Sequence, residues 1–350
     1  MIFGPIEELY FREINFDDPF FDSLKEDYPT FVEWIGKKSD QNEAAYCLRS
    51  NGRVEAFLYL KVEHGPINDI VPPIPYSIPL LKIGTFKINP HGSRLGERFI
   101  KIIFDIALQL ETNLIYVTIF AHHQRLISML EEFGFQYHGS KGREDVYLKK
   151  LREHSGNTIK DYPLMEHMGR SKYLISIYPD YHTQLFPDSI LSGESEDTII
   201  HDVSHTNSIH KIYLSNSVDA LQIQPNDLIV FYRTSDIPGR AYYRAVATSL
   251  GIVEEVRPAR SFQNTNEFVD YCKSYSLFDE NTLRYYYQRN TVAIKFLYVT
   301  AFRRKVIRKE LLEDVRIAEG RWVIVPLSDR EFYRIIQLSN IDQSLFYNPT

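Results

Sequence analysis

The chain has 350 residues, 44% of them hydrophobic and 25% charged, which is enough apolar material for about two globular domains and excludes a disordered or fibrous protein. Its 40 basic and 46 acidic residues give a net charge of -6, so no global positive field attracts nucleic acid or an anionic membrane. Its two cysteines exclude a disulfide scaffold and a cysteine-only metal site. The acidic N-terminus does not fit a signal peptide, and no apolar run is long enough for a membrane span. We therefore expect a cytoplasmic protein of two domains.

A domain boundary is predicted near residue 160. Residues 151–171 mix glycine, serine, asparagine and proline with charged residues and lack apolar periodicity, which is typical of a linker. This divides the chain into a first domain at 1–155, a linker at 156–171 and a second domain at 172–350.

The first half alternates predicted strands and helices. Residues 44–49 and 53–63 have largely alternating apolar side chains and flank Asn51 and Gly52, which predicts a β-hairpin. A strand at 80–88 follows a proline-rich stretch. The later predicted elements are a helix at 96–111, a strand at 113–120, a helix at 123–135 stopped by Gly134, and strands at 135–140 and 145–151.

A short polar segment opens the long helix of this half. It consists of His91, Gly92, Ser93, Arg94, Leu95 and Gly96. With the element order and the closing pair Gly134-Phe135, this segment resembles the GNAT acetyltransferase superfamily over about residues 10–150. In that family the segment reads Gln/Arg-x-x-Gly-x-Gly/Ala, and its backbone N–H groups bind the pyrophosphate of acetyl-CoA, as free N–H groups at a helix start bind anions generally. Arg94 stands where the family pattern has its first glycine.

The resemblance implies an α/β (α+β) domain with a mixed sheet, flanking helices and acetyl-CoA as cofactor. It also implies that the strand at 80–88 offers backbone groups of Phe86, Lys87 and Ile88 to the pantetheine arm. A backbone N–H there would stabilise the oxyanion that forms when an amine attacks the thioester. The amine must first lose a proton. Glu63 and His64, at the end of the preceding strand, are our base candidates, with a solvated strand end as the alternative.

The proton donor of the family is a tyrosine four residues before the closing Gly-Phe, and Leu130 occupies that position here. Tyr116 and Tyr137 are candidate substitutes, although both are also typical of packed strand aromatics. The thiolate of coenzyme A can also leave unprotonated. His122 and His123 lie where a helix cap is expected, and no metal is predicted because no third ligand shares a helical face with them.

The second half is rich in predicted strands. They lie at 172–179, 205–216, 221–256, 292–307 and 322–328, with helical segments between them. We expect a small, partly closed β-barrel with helices outside. The turn at Pro225-Asn226-Asp227 and the strands after it are similar to those of PUA-like domains, particularly the EVE and ASCH types, over about residues 172–345. The Gly-x-Lys-x-x-Glu signature of ASCH members is absent from the sequence.

PUA-like domains commonly hold RNA or a modified base, so the resemblance implies a pocket with stacking aromatics and fixed polar groups. The positions expected there are Tyr178, Tyr213, Ser215, Asn216, Tyr232 and Arg233. With 24 tyrosines in the chain, any one of them is also explained as an ordinary core or surface residue. The most basic segment contains Arg303, Arg304 and Lys305 and is either a phosphate-contacting patch or a solvated helix start or strand edge.

These observations predict an acetyl-CoA-dependent N-acetyltransferase whose amine acceptor is an RNA-linked or nucleotide-containing target selected by the PUA-like domain. Two alternatives stay open. One is a non-catalytic reader of nucleic acid or a modified base with a degenerate acetyltransferase fold, which Arg94 and Leu130 favour. The other, supported by analogy of fold alone, is a protein of a toxin-antitoxin or phage-defence system.

Overall fold

A computed structural model describes residues 6–75, 79–89, 94–186, 208–276, 278–289 and 291–347. It forms two compact units, the first ending at Glu153 and the second beginning at His154. His91, Gly92 and Ser93 lie outside the described residues, as does the start of the segment predicted at 205–216. Within these ranges, no helix combines the length and apolarity needed to cross a bilayer.

The first unit is built on one seven-stranded sheet. Its elements are β1 (Ile6–Tyr10), α1 (Asp22–Asp27), α2 (Phe31–Asp40), β2 (Ala44–Ser50), β3 (Arg53–His64), β4 (Pro79–Ile88), α3 (Leu95–Gln109), β5 (Leu114–Ile119), α4 (Gln124–Glu132), β6 (Gln136–Lys141) and β7 (Glu144–Lys150). The strand order is β1-β2-β3-β4-β5-β7-β6. Strands β4 and β5 are parallel, and the other neighbouring pairs are antiparallel.

Helices cover both faces of this sheet. Phe57 of β3 packs with Phe21 and Phe31 beneath α1 and α2. The next residue, Leu58, points to the opposite face because successive strand side chains alternate. Leu58 pairs with Phe86 of β4, whose ring lies 5.9 Å from that of Phe99 in α3. The predicted hairpin is present between β2 and β3, where Asn51 and Gly52 both have positive φ angles, as a tight two-residue turn requires.

The second unit combines a six-stranded sheet with short helices. Its elements are α5 (Thr158–Asp161), β8 (Met165–Glu166), β9 (Lys172–Ile177), α6 (Pro179–Leu185), β10 (His210–Ser215), β11 (Leu228–Arg233), α7 (Ala241–Arg244), β12 (Val246–Pro258), α8 (Thr265–Lys273), α9 (Glu280–Tyr287), β13 (Val292–Ile307), α10 (Arg308–Glu313), β14 (Ile324–Leu327), α11 (Asp329–Ser339) and β15 (Phe346–Tyr347). The sheet order is β10-β13-β12-β11-β9-β14, and β8 pairs with β15. Both units therefore have the mixed α/β class that the sequence predicts. In the described part of the chain the outer strands β10 and β14 do not pair, so the sheet is not a closed barrel, and the expected partly closed barrel is not confirmed.

Residues 156–171, expected to be a linker, are instead a folded part of the second unit. They contain α5 and β8, and Tyr162, Leu164 and Met165 are buried. The hydroxyl of Tyr162 donates to the backbone carbonyl of Tyr298 at 2.9 Å. The buried residues form one short consecutive run, 161–165, which has neither a helical nor a strand period, and the sequence pattern therefore indicated a linker.

Candidate functional site

The central feature of the first unit is the divergence of β4 and β5. Their parallel register joins residues 81–83 to residues 115–117, although β4 continues to Ile88 and β5 to Ile119. On its other edge β4 stays paired with β3 as far as Ile88. No described strand pairs with the open edge of β4 at residues 84–88, so backbone polar groups on that edge need another partner.

The divergence opens a cleft of about 720 Å³. Its walls come from β4, β5, the α1–α2 region and the start of α4. The lining includes Ser23, Tyr28, Trp34, Lys82, Thr85, Phe86, Lys87, Ile88, Val117, Thr118, Ile119, His122, His123 and Glu144. A volume of this size is typical of small-molecule and cofactor sites, which span roughly 300–1,000 Å³.

A carboxylate stands at one side of the cleft. Glu144 begins β7, and its Oε1 accepts a hydrogen bond from the hydroxyl of Tyr28 at 2.6 Å. The ring of Tyr28 packs 5.1 Å from that of Phe120. Burial and the neighbouring Glu144 carboxylate raise the pKa of Tyr28, so Tyr28 keeps its proton and remains the donor. Lys82 also lines the cleft, and burial lowers its pKa.

A second polar cluster contains Asp27, the last residue of α1, and the histidines that precede α4. The Asp27 Oδ2 atom lies 3.6 Å from His122 Nε2 and 3.3 Å from His123 Nε2. Burial and the neighbouring His122 lower the pKa of His123. His123 is the N-cap residue of α4, as expected, but its side chain makes no capping hydrogen bond. A third possible ligand, Asp27, comes from another helix, 95 residues before His122, so it could not be found on the helical face of the two histidines.

Three predicted cofactor residues, Phe86, Lys87 and Ile88, line the cleft on the open edge of β4. Phe86 is buried against α3. The Lys87 ammonium donates to the Phe20 carbonyl and to Ser23 Oγ, which fixes its side chain on the α1 side.

The predicted phosphate segment is described only from Arg94 onwards. The Arg94 guanidinium donates to the carboxylate of Glu97 in the first turn of α3. Leu95 is buried, and Gly96 lies against Met129 of α4. The ion pair with Glu97 directs the Arg94 side chain along its own helix. Arg94 would have to leave this ion pair in order to bind a phosphate.

None of the four predicted catalytic residues lines the cleft. Glu63 and His64 lie instead in an open hollow of about 560 Å³ next to the loop after β3. Tyr137 is 60% exposed on β6. Tyr116 is completely buried and donates its hydroxyl hydrogen to Glu63. Burial and this bond raise the pKa of Tyr116, which makes it a poor proton donor to a leaving thiolate.

The environment of Glu63 also argues against a base. Burial alone would raise its pKa, but hydrogen bonds from Lys61 and Tyr116 and the charge of Lys82 bring the pKa below its usual value. A carboxylate that binds its proton so weakly is a poor acceptor. The acid position of the family is occupied by Leu130, which is fully buried in α4 and offers no polar group.

In the second unit, a pocket of about 580 Å³ brings together four predicted base-binding residues, Tyr178, Tyr213, Ser215 and Asn216. Its lining also includes Tyr181, Phe278, Tyr286 and Arg321. Tyr178 and Tyr181 are 67% and 43% exposed. Burial raises the pKa of Tyr213 to about 12, and its hydroxyl donates to the Ser176 carbonyl at 3.1 Å.

Tyr232 and Arg233, which were expected in the same pocket, do not line it. Both are buried at the end of β11. Tyr232 packs 5.3 Å from Trp322 and accepts a hydrogen bond from Arg308 at 3.1 Å. They belong to the core because β11 is a central strand, flanked by β9 and β12.

The basic segment is also separate from this pocket. Arg303 is exposed, Arg304 pairs with Glu310, and the Lys305 ammonium donates to the Phe302 carbonyl at 2.9 Å. They lie 9 to 11 residues along β13 from Ile294, which pairs with Tyr213, and this corresponds to roughly 30–36 Å of extended strand.

No protein-family model matches the sequence, and no curated protein matches it. Among solved structures, the ASCH protein of Zymomonas mobilis is 11% identical, covers 48% of this chain and 94% of its own, and has a TM-score of 0.33. A GNAT-family acetyltransferase of Listeria monocytogenes is 14% identical, covers 42% and 95%, and has a TM-score of 0.32. An N-acetyltransferase of Thermoplasma acidophilum, solved with coenzyme A, is 10% identical, covers 42% and 99%, and has a TM-score of 0.30. The structural neighbours thus include proteins of both families that the sequence resembles.

Proposed function

We propose that the chain is an acetyl-CoA-dependent N-acetyltransferase whose catalytic site is the cleft between β4 and β5. One observation carries this proposal. The two parallel strands pair only where residues 81–83 meet residues 115–117, and beyond that point they diverge. An extended arm with amide groups can occupy such an opening, because it offers hydrogen bonds to the free edge of a strand. The pantetheine arm of acetyl-CoA has this chemistry.

The open edge at residues 84–88 supplies the groups that the reaction needs. A backbone N–H on this edge donates to the thioester carbonyl, whose oxygen gains negative charge as the amine nitrogen attacks the carbonyl carbon. Collapse of this intermediate breaks the carbon–sulfur bond, and the remaining extra proton on the attacking nitrogen passes to the departing thiolate, so that coenzyme A leaves as its free thiol. Lys82 and Lys87 in the lining add positive charge that favours the anionic cofactor.

Glu144 is the proposed proton acceptor, in place of Glu63 and His64. It lines the cleft, and its position is fixed by the hydrogen bond from Tyr28. A carboxylate here attracts a cationic amine and accepts its proton, directly or through one water molecule, before attack. Tyr28 holds the carboxylate in place and is a positioning residue.

The experiment follows release of free thiol from acetyl-CoA in the presence of primary amines. Glu144→Gln should lower kcat by roughly 10²- to 10⁴-fold, the usual contribution of a general base, and leave acetyl-CoA binding unchanged. Glu132→Gln, at an exposed position of α4, is the matched control. An unchanged rate in Glu144→Gln would exclude the base role, and no thiol release by the intact protein with any amine would contradict the enzyme itself.

The second candidate function is reading of a nucleic acid or modified base, and the aromatic pocket of the second unit favours it. Tyr178 and Tyr181 line this pocket and are both exposed, and Ser215 and Asn216 add polar groups suited to the edge of a base. In the acetyltransferase proposal the same pocket selects an RNA-linked acceptor. In the alternative, base binding is the whole function and the first unit has no activity.

A further inference from the structure

The cluster of Asp27, His122 and His123 has the composition and spacing of a metal site. Each residue offers one donor atom, and all three donor atoms lie within 4.8 Å of one another. Zinc binds imidazole nitrogen and carboxylate oxygen at about 2.0–2.2 Å, so two ligands of a tetrahedral ion are separated by roughly 3.3–3.6 Å. The distances from Asp27 Oδ2 to the two Nε2 atoms, 3.6 and 3.3 Å, agree with that separation.

We infer that Asp27, His122 and His123 bind one divalent transition-metal ion on the wall of the cleft in the first unit. Two imidazoles and one carboxylate suit Zn²⁺, Co²⁺ or Ni²⁺, whereas Ca²⁺ and Mg²⁺ prefer oxygen ligands alone. Three protein ligands leave the fourth tetrahedral position for water or for a donor atom of a bound molecule. This inference does not depend on acetyl transfer.

The surroundings permit an ion to enter. The His122 side chain is 60% exposed, and those of His123 and Asp27 are partly exposed, so the donor atoms are reached from solvent. Lys87 is a cation near His123, but its ammonium is hydrogen-bonded to Phe20 and Ser23. The ion would join Asp27 at the end of α1 to His122 and His123 at the start of α4.

The test uses the full chain, stripped with a chelator, and no acetyl-CoA. Co²⁺ titration should produce the intense visible absorption of a tetrahedral ion with one equivalent, and Zn²⁺ should displace it. His122→Ala, His123→Ala and Asp27→Asn should each weaken Zn²⁺ binding by at least about tenfold, measured against a chromophoric chelator. His154→Ala, an exposed histidine of the second unit, is the matched control because the chain contains 11 histidines.

Circular dichroism of each metal-free variant establishes that the substitution leaves the fold intact. Loss of the tetrahedral signal in folded His123→Ala, with the signal kept in His154→Ala, supports the site. Absence of Co²⁺ binding by the intact chain, or binding by all three cluster variants that is as tight as that of the intact chain, overturns it. Since no cofactor is added, failure here leaves the acetyltransferase proposal unaffected.

Discussion

Gly96 in the first turn of α3 lies directly against Met129 of α4, so that a β-carbon at position 96 would overlap the thioether sulfur. The sequence pattern assigns Gly96 a different role, the close approach of backbone to phosphate. The structure adds a packing reason for glycine at this position. The same small residue therefore sets how closely α3 and α4 approach beside the end of β4, where Ile88 is also a neighbour.

Gly96→Val should destabilise the protein by about 1 kcal/mol, the low end of the cost of overpacking, because the added methyl groups displace the flexible end of the half-buried Met129 side chain. Met129→Ala removes the obstacle, so the double variant should lose less stability than the sum of the single variants. Urea unfolding of the four proteins measures the coupling. Strictly additive losses of stability would show that a side chain at position 96 does not clash with Met129.

Glu97→Gln should strengthen binding of coenzyme A. The substitution releases Arg94 from its ion pair and removes a negative charge from the N-terminal turn of α3, where anions are favoured. A change of about 0.3–1 kcal/mol corresponds to roughly two- to fivefold tighter binding. Calorimetry at low and high salt measures it, with Glu131→Gln on α4 as control. Weaker binding by Glu97→Gln would exclude a phosphate role for Arg94.

The Glu63–Tyr116 pair predicts a pH-dependent stability. The pKa of Glu63 is lowered in the folded state, so its carboxylate adds stability above the unfolded pKa of about 4.3, and this is lost as the pH falls through the folded value. The stability difference between the native chain and Glu63→Gln should therefore shrink between pH 6 and pH 3, as measured by denaturant unfolding. A constant difference over that range would contradict the assigned ionisation.

Tyr178→Ala should lower affinity for the preferred single-stranded RNA by about five- to a hundredfold, the usual effect of removing one stacking ring. Tyr243→Ala, a 65% exposed tyrosine that does not line the pocket, is the control. Tyr213 is a less suitable test, because its buried hydroxyl bonds to the fold through Ser176. Fluorescence titrations should show loss only in Tyr178→Ala. Equal affinities would exclude the pocket as a base site, and no RNA binding by the intact chain would favour another acceptor.

Local elements were predictable from the sequence because their signals are local. The Asn51-Gly52 turn and the apolar face of α3 depend on neighbouring residues alone. The divergence of β4 and β5 has no such signal, because the sequence pattern of a strand does not depend on whether its edge is paired or open. The Asp27–His123 contact joins residues far apart in the chain, and only the fold brings them together. Tyr116 and Tyr232 were predicted as site residues but are buried in the core. Whether an aromatic residue on a strand is buried depends on the elements that pack over it, and the local sequence does not show them.

The most direct test of the central claim is calorimetric titration of the full chain with acetyl-CoA, repeated on Thr118→Trp. Thr118 lines the cleft just beyond the part of β5 that pairs with β4, so an indole there fills the space between the strands. Val62→Trp, at an exposed position of β3 outside the cleft, is the matched control. We predict one equivalent bound by the intact chain and by Val62→Trp, with binding lost in Thr118→Trp. No binding by the intact chain, or unchanged binding by Thr118→Trp, would contradict the account.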